Sequence, residues 1–318
     1  MATQDQPRAN DAQRFRYEEA LRSFVDKVQQ DRYIVAAILF GSLAYDDVWE
    51  KSDVDILLVS RDDRAAERSY SLVENNINFH VNIGPRGKFK EQIERALQGS
   101  FMHSVMARST LLFSTDETIQ EYYQHVHHVG SRDREMQMLN AAARVLPVLT
   151  KAEKWLVVKR DPIYSFHWFI FLIDSLATIE VLWHADVPGR EVIQQALSYN
   201  PDFFKPLYTD LIQRPKDTET MREAIQMVHN YLDERRDVLF KPILRYLTAA
   251  GSVRSASEIE EHLRQRTGNG YLALACEWLA DKGILRKVSS PLRLTEKSRV
   301  TLDEAAYYYD GGDIHHAD

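Results

Sequence analysis

Between residues 34 and 59 the chain passes from one apolar run through Gly41-Ser42 to a second apolar run that carries two acids one residue apart, Asp53 and Asp55. No other segment constrains the fold as tightly: it reads as strand, tight turn, short connecting helix, strand. In an extended strand the side chains at i and i+2 point to one face, so both carboxylates share a side while Val54 and Ile56 pack on the other. Two carboxylates on one face make a divalent-cation site. Hard oxygen ligands suit Mg²⁺, which keeps waters and shares its remaining positions with substrate phosphates, and two such ions can stabilise attacking and leaving oxygens together. Gly41 and Ser42 suit the other half of that task. A strand that ends in Gly-Ser and opens into a helix offers backbone N–H groups and a hydroxyl to phosphate oxygens, and glycine lets the chain come close to them. Either piece alone is an ordinary turn or a solvated strand end; in this order they point to phosphoryl or nucleotidyl transfer.

The run Phe40-Gly41-Ser42, ten residues, then Asp53-Val54-Asp55-Ile56 resembles the signature of the polymerase-beta-like nucleotidyltransferase superfamily, and the flanking Lys51-Ser52 and Leu57-Leu58-Val59 fit it as well. The resemblance implies that Asp53 and Asp55 hold the metal, one or two Mg²⁺ ions, and that Gly41 and Ser42, with Ser52, seat the triphosphate of ATP or another NTP. Residues 111–116, Leu-Leu-Phe-Ser-Thr-Asp, are similar to the short strand that closes this domain in small-molecule nucleotidyltransferases such as the aminoglycoside-modifying ones. The motifs therefore span roughly the first 125 residues, a domain of ordinary size.

The sequence departs from that pattern twice. Many relatives carry Ala-Arg-Gly just after the Gly-Ser pair, whereas this chain has Ala44-Tyr45-Asp46. The superfamily also has, as a rule, a third carboxylate on a later strand. The strand expected over residues 77–83 alternates Ile77, Phe79, Val81 and Ile83 with Asn78, His80 and Asn82, so its polar face holds no acid and His80 stands where one is expected. Imidazole can ligate metal, take the proton of an incoming hydroxyl or fill space, and all three roles stay open for His80.

Composition sets the outer limits. The 318 residues suffice for two or three domains with real cores, and 44% hydrophobic with 27% charged is a globular balance. A single cysteine, Cys276, leaves no internal disulfide to form, and no basic start followed by an apolar stretch marks a signal peptide. The most apolar segment, residues 163–173, is interrupted by His167 and stops at Asp174, short of the roughly 20 residues that span a bilayer. A cytoplasmic protein that does not engage membranes is expected. The net charge of −7 disfavours a dedicated nucleic-acid binder. It also requires the triphosphate to be neutralised locally, by metal and by cations among Lys51, Arg86, Lys88, Lys154 and Lys159.

The expected fold class is an α/β (α+β) nucleotidyltransferase domain with a mixed sheet over residues 1–128, followed by an all-α helical bundle at 129–240 that binds the acceptor, a winged-helix-like domain at 241–310 and a tail at 311–318. A helical stripe of Phe15, Ala20, Leu21, Phe24, Val25 and Val28 leads into the first strand. In the bundle, periodic stretches at 132–159 and 163–184 are broken by Asp161-Pro162, and further helices are expected at 190–199, after Pro201 and at 218–236. Lys154, Lys159, Tyr164, His167, Asp174 and Glu180 are candidates for the acceptor side, with Glu180 or Asp174 as a base and partnered interior acids or core packing as the plainer reading.

In the third part a helix is expected at 242–249, Ser255-Ala256-Ser257-Glu258 looks like a capping box opening a second helix, and residues 270–282 form a third. Residues 284–288 and 292–294 around a turn at 289–291 read as a two-stranded ribbon. Three helices and a ribbon resemble a winged helix-turn-helix, but the third helix nearly lacks the basic residues that reading DNA requires. Packing, homodimerisation or a protein partner suits this domain better than DNA. The histidines at 125, 127 and 128 and at 315 and 316 lack metal-site spacing and read as surface features.

The expected activity is Mg²⁺-dependent transfer of a nucleoside monophosphate, AMP from ATP, to a hydroxyl of a small-molecule or protein acceptor with release of pyrophosphate. The alternative is a nucleotide-binding regulator that holds NTP without turning it over and signals through its last domain; the absent third carboxylate favours it.

Overall fold

A computed structural model describes residues 6–44, 49–64, 66–96, 109–126, 131–267, 271–295 and 297–311. The chain divides into two compact units, Met1–Val129 and Gly130–Asp318. The histidines at 127, 128, 315 and 316, and the side chain of His125, lie outside what is described.

The first unit opens with helix α1 (Gln6–Val28), followed by β1 (Ile34–Phe40), β2 (Val54–Ser60), β3 (Arg68–Glu74), β4 (Ile77–Pro85), α2 (Arg86–Ala96), β5 (Thr110–Ser114) and α3 (Glu117–Val126). The five strands form one sheet in the order β3-β4-β2-β1-β5. It is a mixed sheet: β2 and β4 run parallel and every other neighbouring pair antiparallel.

Both faces of the central strands are covered, which is why β1 is apolar along its whole length. On one face α1 packs Tyr17, Ala20 and Phe24 against Ala37, Leu39, Val54, Ile56, Phe79 and Val81. Phe24 stacks on Phe79 with ring centroids 4.8 Å apart. Phe15, expected in this stripe, is 64% exposed. It lies roughly two and a half helical turns from Phe24 and so faces the opposite way, whereas Tyr17, Ala20 and Phe24 share one side. The other face buries Ala36, Ile38 and Val59 beneath Phe89 of α2 and Ile119 and Tyr123 of α3.

Strand β3 has no counterpart among the expected elements, because its exposed residues carry no core periodicity. The available signal was its turn: Asn75 and Asn76 both have positive φ, 49° and 61°, the geometry a two-residue hairpin connection requires. Of the helix expected between Gly41 and Asp53, residues 41–44 form a turn, and residues 45–48 fall outside the described residues.

The second unit contains α4 (Ser131–Val157), α5 (Pro162–Trp183), α6 (Val192–Tyr199), α7 (Pro201–Phe204), a π-helical turn (Lys205–Asp210), α8 (Leu211–Gln213) and α9 (Thr218–Leu239). Asp161 caps α5 by accepting from Tyr164 N–H at 2.9 Å, with Pro162 in the first turn, so the Asp-Pro break in the periodicity becomes a helix start. Helix α5 runs on past Asp174 and is long and apolar enough to cross a membrane, but 56% of its apolar window is buried inside the protein. Its apolar length serves the core instead: Phe169, Leu172, Leu176 and Ile179 are all buried.

Then come α10 (Lys241–Ala250), β6 (Arg254–Ser255), α11 (Ala256–Thr267), α12 (Leu272–Asp281), β7 (Arg286–Leu292) and β8 (Leu302–Tyr308), with strand order β6-β8-β7. The capping box forms: Glu258 N–H donates to Ser255 Oγ at 3.2 Å, and Ser255 N–H donates to Glu258 Oε2 at 2.8 Å. The ribbon differs from expectation. Residues 289–291 continue β7, whose partner is 302–308, and Pro291 is tolerated because β7 is an edge strand. One core runs through the unit, from Leu139 and Phe169 through Leu239, Phe240 and Ile243 to Cys276, Leu279 and Tyr307.

Candidate active site

Gly41 ends β1 and turns the chain out of the sheet with φ 81°, a conformation that favours glycine. Ala44 N–H closes the turn on the Gly41 carbonyl at 3.0 Å. The carboxylate of Asp55 lies directly beside this turn. A Cβ at residue 41 would overlap Asp55 Oδ2 and stand 3.3 Å from its Cγ, so the absence of a side chain is required twice, by backbone and by space.

Asp55 is the second residue of β2. In register it sits opposite Phe40 of β1 on one side and His80 of β4 on the other, and Ser71 of β3 extends the row. His80 Nδ1 is 3.7 Å from Asp55 Oδ1, within ion-pair reach but longer than a hydrogen bond. Both are accessible, with 53% of the His80 side chain and 32% of the Asp55 side chain exposed.

Asp53 is exposed just before β2 begins. A turn that the sequence analysis did not foresee fixes the approach to it. Ser52 N–H donates to the Trp49 carbonyl at 2.9 Å, Trp49 N–H donates back to Ser52 Oγ at 3.1 Å, and the Tyr17 hydroxyl from α1 donates to the Ser52 carbonyl at 2.8 Å. Burial, then the negative charge of Asp53, raises the Tyr17 hydroxyl above its ordinary pKa and keeps it a donor. Tyr17 thus contributes to the site; its place in the stripe with Ala20 and Phe24 marks it as buried, and only the fold brings its hydroxyl to Ser52. Ser42 sits half-buried in the Gly41 turn.

The remaining candidates separate. Lys51 stays near the turn with its ammonium 5.7 Å from the Trp49 ring centroid. Arg86 is committed elsewhere: Nε lies 2.6 Å from Asp116 Oδ2, and Nη2 donates to Thr118 Oγ1 at 2.8 Å, joining α2 to α3. It lies six residues beyond His80, roughly 20 Å along the chain. In the second unit Glu180 is 2% exposed, accepts from the Tyr231 hydroxyl at 2.7 Å and lies 3.3 Å from His184 Nε2, so it is a partnered interior acid. Asp174 and His167 face outward on α5, where His167 packs against Tyr164 and Phe171.

Among the described residues no three His, Cys, Asp or Glu side chains gather into a metal cluster. Asp55 lies at the turn, and Asp53 precedes it by two residues, exposed. A pair of carboxylates so spaced suits Mg²⁺, which is held by one or two protein carboxylates with waters and substrate phosphates completing its shell.

Residues 23–118 match the family model described as polymerase beta, nucleotidyltransferase. The match spans the Gly41 turn, Asp53, Asp55 and His80. Among solved structures, the crystal structure of a nucleotidyltransferase-like protein from Exiguobacterium sibiricum 255-15 is similar, with a TM-score of 0.64 at 16% identity over 92% of this chain and 99% of that one. No curated protein matches the sequence. The chain thus has a nucleotidyltransferase-like α/β fold with a mixed sheet and many helices, and it carries a polymerase-beta-type nucleotidyltransferase domain.

Proposed function

We propose that this protein is a Mg²⁺-dependent nucleotidyltransferase that moves a nucleoside monophosphate, AMP from ATP, onto a hydroxyl of a small molecule or a protein side chain and releases pyrophosphate. The observation that carries this reading is the packing of the Asp55 carboxylate against the bare α-carbon of Gly41, which joins the two halves of the motif in one place. Asp53 and Asp55 would hold Mg²⁺, which when bound neutralises phosphate charge and draws electrons from the reacting phosphorus. Gly41 and Ser42 seat the phosphates. The Ser52 hydroxyl accepts from Trp49 and retains its own proton to donate to a phosphate oxygen.

In the transfer the acceptor oxygen bonds to the α-phosphorus, the bond from that phosphorus to the bridging oxygen breaks, and pyrophosphate leaves. The acceptor's proton needs a base. His80, beside Asp55 and accessible, takes it. This chain thereby uses a histidine where the superfamily it resembles has, as a rule, a third acid. In this reading the protein works in the cytoplasm.

The test is incubation with each labelled NTP, Mg²⁺ and a panel of metabolite and protein acceptors, following pyrophosphate. Release that Asp55→Asn abolishes supports the enzyme. A second reading has its own observation: the polar positions of β4 are Asn78, His80 and Asn82, with no acid. A regulator would bind NTP without turnover and signal through residues 241–310, where helices α10 to α12 and strands β6 to β8 support the winged-helix-like reading. Its third helix turns Leu272, Ala275, Cys276 and Leu279 into the core and spends Glu277 on Lys287, so the partner would be a protein rather than DNA. Tight NTP binding with no pyrophosphate across the whole panel would favour the regulator.

A further inference from the structure

Among the described residues strand β3 is an edge of the five-stranded sheet, and it carries none of the sequence devices by which natural edges avoid pairing. Its register with β4 runs unshifted from Arg68 to Glu74, so no bulge twists it away. It holds no proline and no charge between its two ends. Tyr70, Leu72 and Val73 are 42%, 41% and 67% exposed.

The sequence of this edge is complementary to itself. Set antiparallel against a second copy and centred on Ser71, Arg68 meets Glu74, Ser69 meets Val73 and Tyr70 meets Leu72. Opposite charges and aromatic–aliphatic neighbours are the cross-strand pairs that stabilise a sheet. A parallel pairing in register would instead set Arg68 on Arg68 and Glu74 on Glu74. The Glu74 end is also held in place, accepting from Lys27 at 2.6 Å and from Ser23 at 2.7 Å.

We propose that β3 is a homodimer interface, in which the β3 strands of two copies pair antiparallel about Ser71 and join their sheets into one. The partner is a second copy because the charge pattern is satisfied twice by the chain's own two-fold. Ser71 shares its row with His80 and Asp55, so the two-fold, perpendicular to the sheet, puts the Gly41–Asp55–His80 sites of both copies on the same face. They would lie five strand spacings apart, roughly 24 Å. The interface does not depend on whether the site turns over nucleotide.

Sedimentation and light scattering of the full chain test it, with circular dichroism confirming that each variant is folded. The wild-type chain is expected to be dimeric. Arg68→Glu sets glutamate against Glu74 of the second copy at both ends, and Leu72→Lys sets a charge against Tyr70; each is expected to raise the dimer dissociation constant about tenfold or more. Ser71→Cys adds a gain of signal. The Cα separations across an antiparallel pair lie within the disulfide range, so mild oxidation should yield a covalent dimer. Cys276, the chain's one native cysteine, is buried, and burial pushes its thiol up to about 12, so it does not compete. A wild-type chain that stays monomeric, a dimer that survives both charged substitutions, or a folded Ser71→Cys chain that does not cross-link would overturn the proposal.

Discussion

Gly41 and Asp55 occupy neighbouring space so closely that only a residue without a side chain fits at 41: an added Cβ would overlap Asp55 Oδ2. Gly41→Ala therefore combines a left-handed backbone strain of about 1–2 kcal/mol with displacement of the carboxylate. Thermal melting should show a modest loss of stability, and calorimetry should show NTP affinity lowered about tenfold or more, since 1.4 kcal/mol is a factor of ten. An alanine variant that binds NTP as the wild type does would mean that the turn and Asp55 do not share a ligand.

His80 stands opposite Asp55 in register, with Nδ1 3.7 Å from Oδ1. As the base it acts only in the chemical step. His80→Ala should lower kcat about 100-fold or more with NTP affinity unchanged, the range in which general-base removal falls. Equal losses in affinity and rate would assign His80 to binding instead.

The Tyr231 hydroxyl donates to Glu180 Oε2 at 2.7 Å in the core of the second unit. Burial, then the charge of Glu180, pushes the Tyr231 pKa far above its ordinary value, which keeps the proton in place. Tyr231→Phe removes the donor and leaves a buried carboxylate oxygen short of a partner. Denaturant unfolding should show a loss of about 1–3 kcal/mol. No loss would show that His184, 3.3 Å from the other oxygen, carries the pairing alone.

Glu277 on α12 accepts from Lys287 of β7 at 2.5 Å and from Tyr307 of β8 at 2.9 Å. The Lys287 bond first, and then that of Tyr307, hold its carboxyl below the usual carboxylate range. Because its pKa is lower folded than unfolded, its stabilisation is complete above the ordinary value of 4.5 and is lost as pH falls below that and through the folded pKa. Denaturation across an acid series should show this loss, and Glu277→Gln should flatten it. An acid limb of unchanged steepness would assign the pH dependence to other carboxylates.

The central strands were legible because β1 and β2 are apolar runs bounded by Gly41 and Asp53, and β4 alternates with period two. Strand β3 was not, because an edge strand exposed along its length carries no burial pattern; only Asn75-Asn76 marked it. The long helices α4, α5 and α9 were visible through periodicity and the Asp161-Pro162 break; the cap Asp217 emerges only in the structure. The β7–β8 pairing was misread because Ser-Ser-Pro carries turn chemistry, and nothing local reveals that an edge strand absorbs it. At the site, the family motif linked Gly41 with Asp55 and set His80 at the position of a third acid; the strand pairing puts His80 opposite Asp55. Tyr17 could not be placed there from the sequence, since its hydroxyl reaches the Ser52 carbonyl 35 residues away and acts through tertiary contact. Arg86 was misassigned for the same reason: its partner Asp116 lies 30 residues on.

If Asp53 and Asp55 hold a divalent cation against the phosphates of an NTP at the Gly41 turn, calorimetric NTP binding with and without Mg²⁺ in the wild-type chain and in Asp53→Asn reveals it. Binding to the wild type should require Mg²⁺, and Asp53→Asn should keep its fold while losing the metal-dependent part. Equal NTP affinity in both proteins, or affinity indifferent to Mg²⁺, would contradict the account.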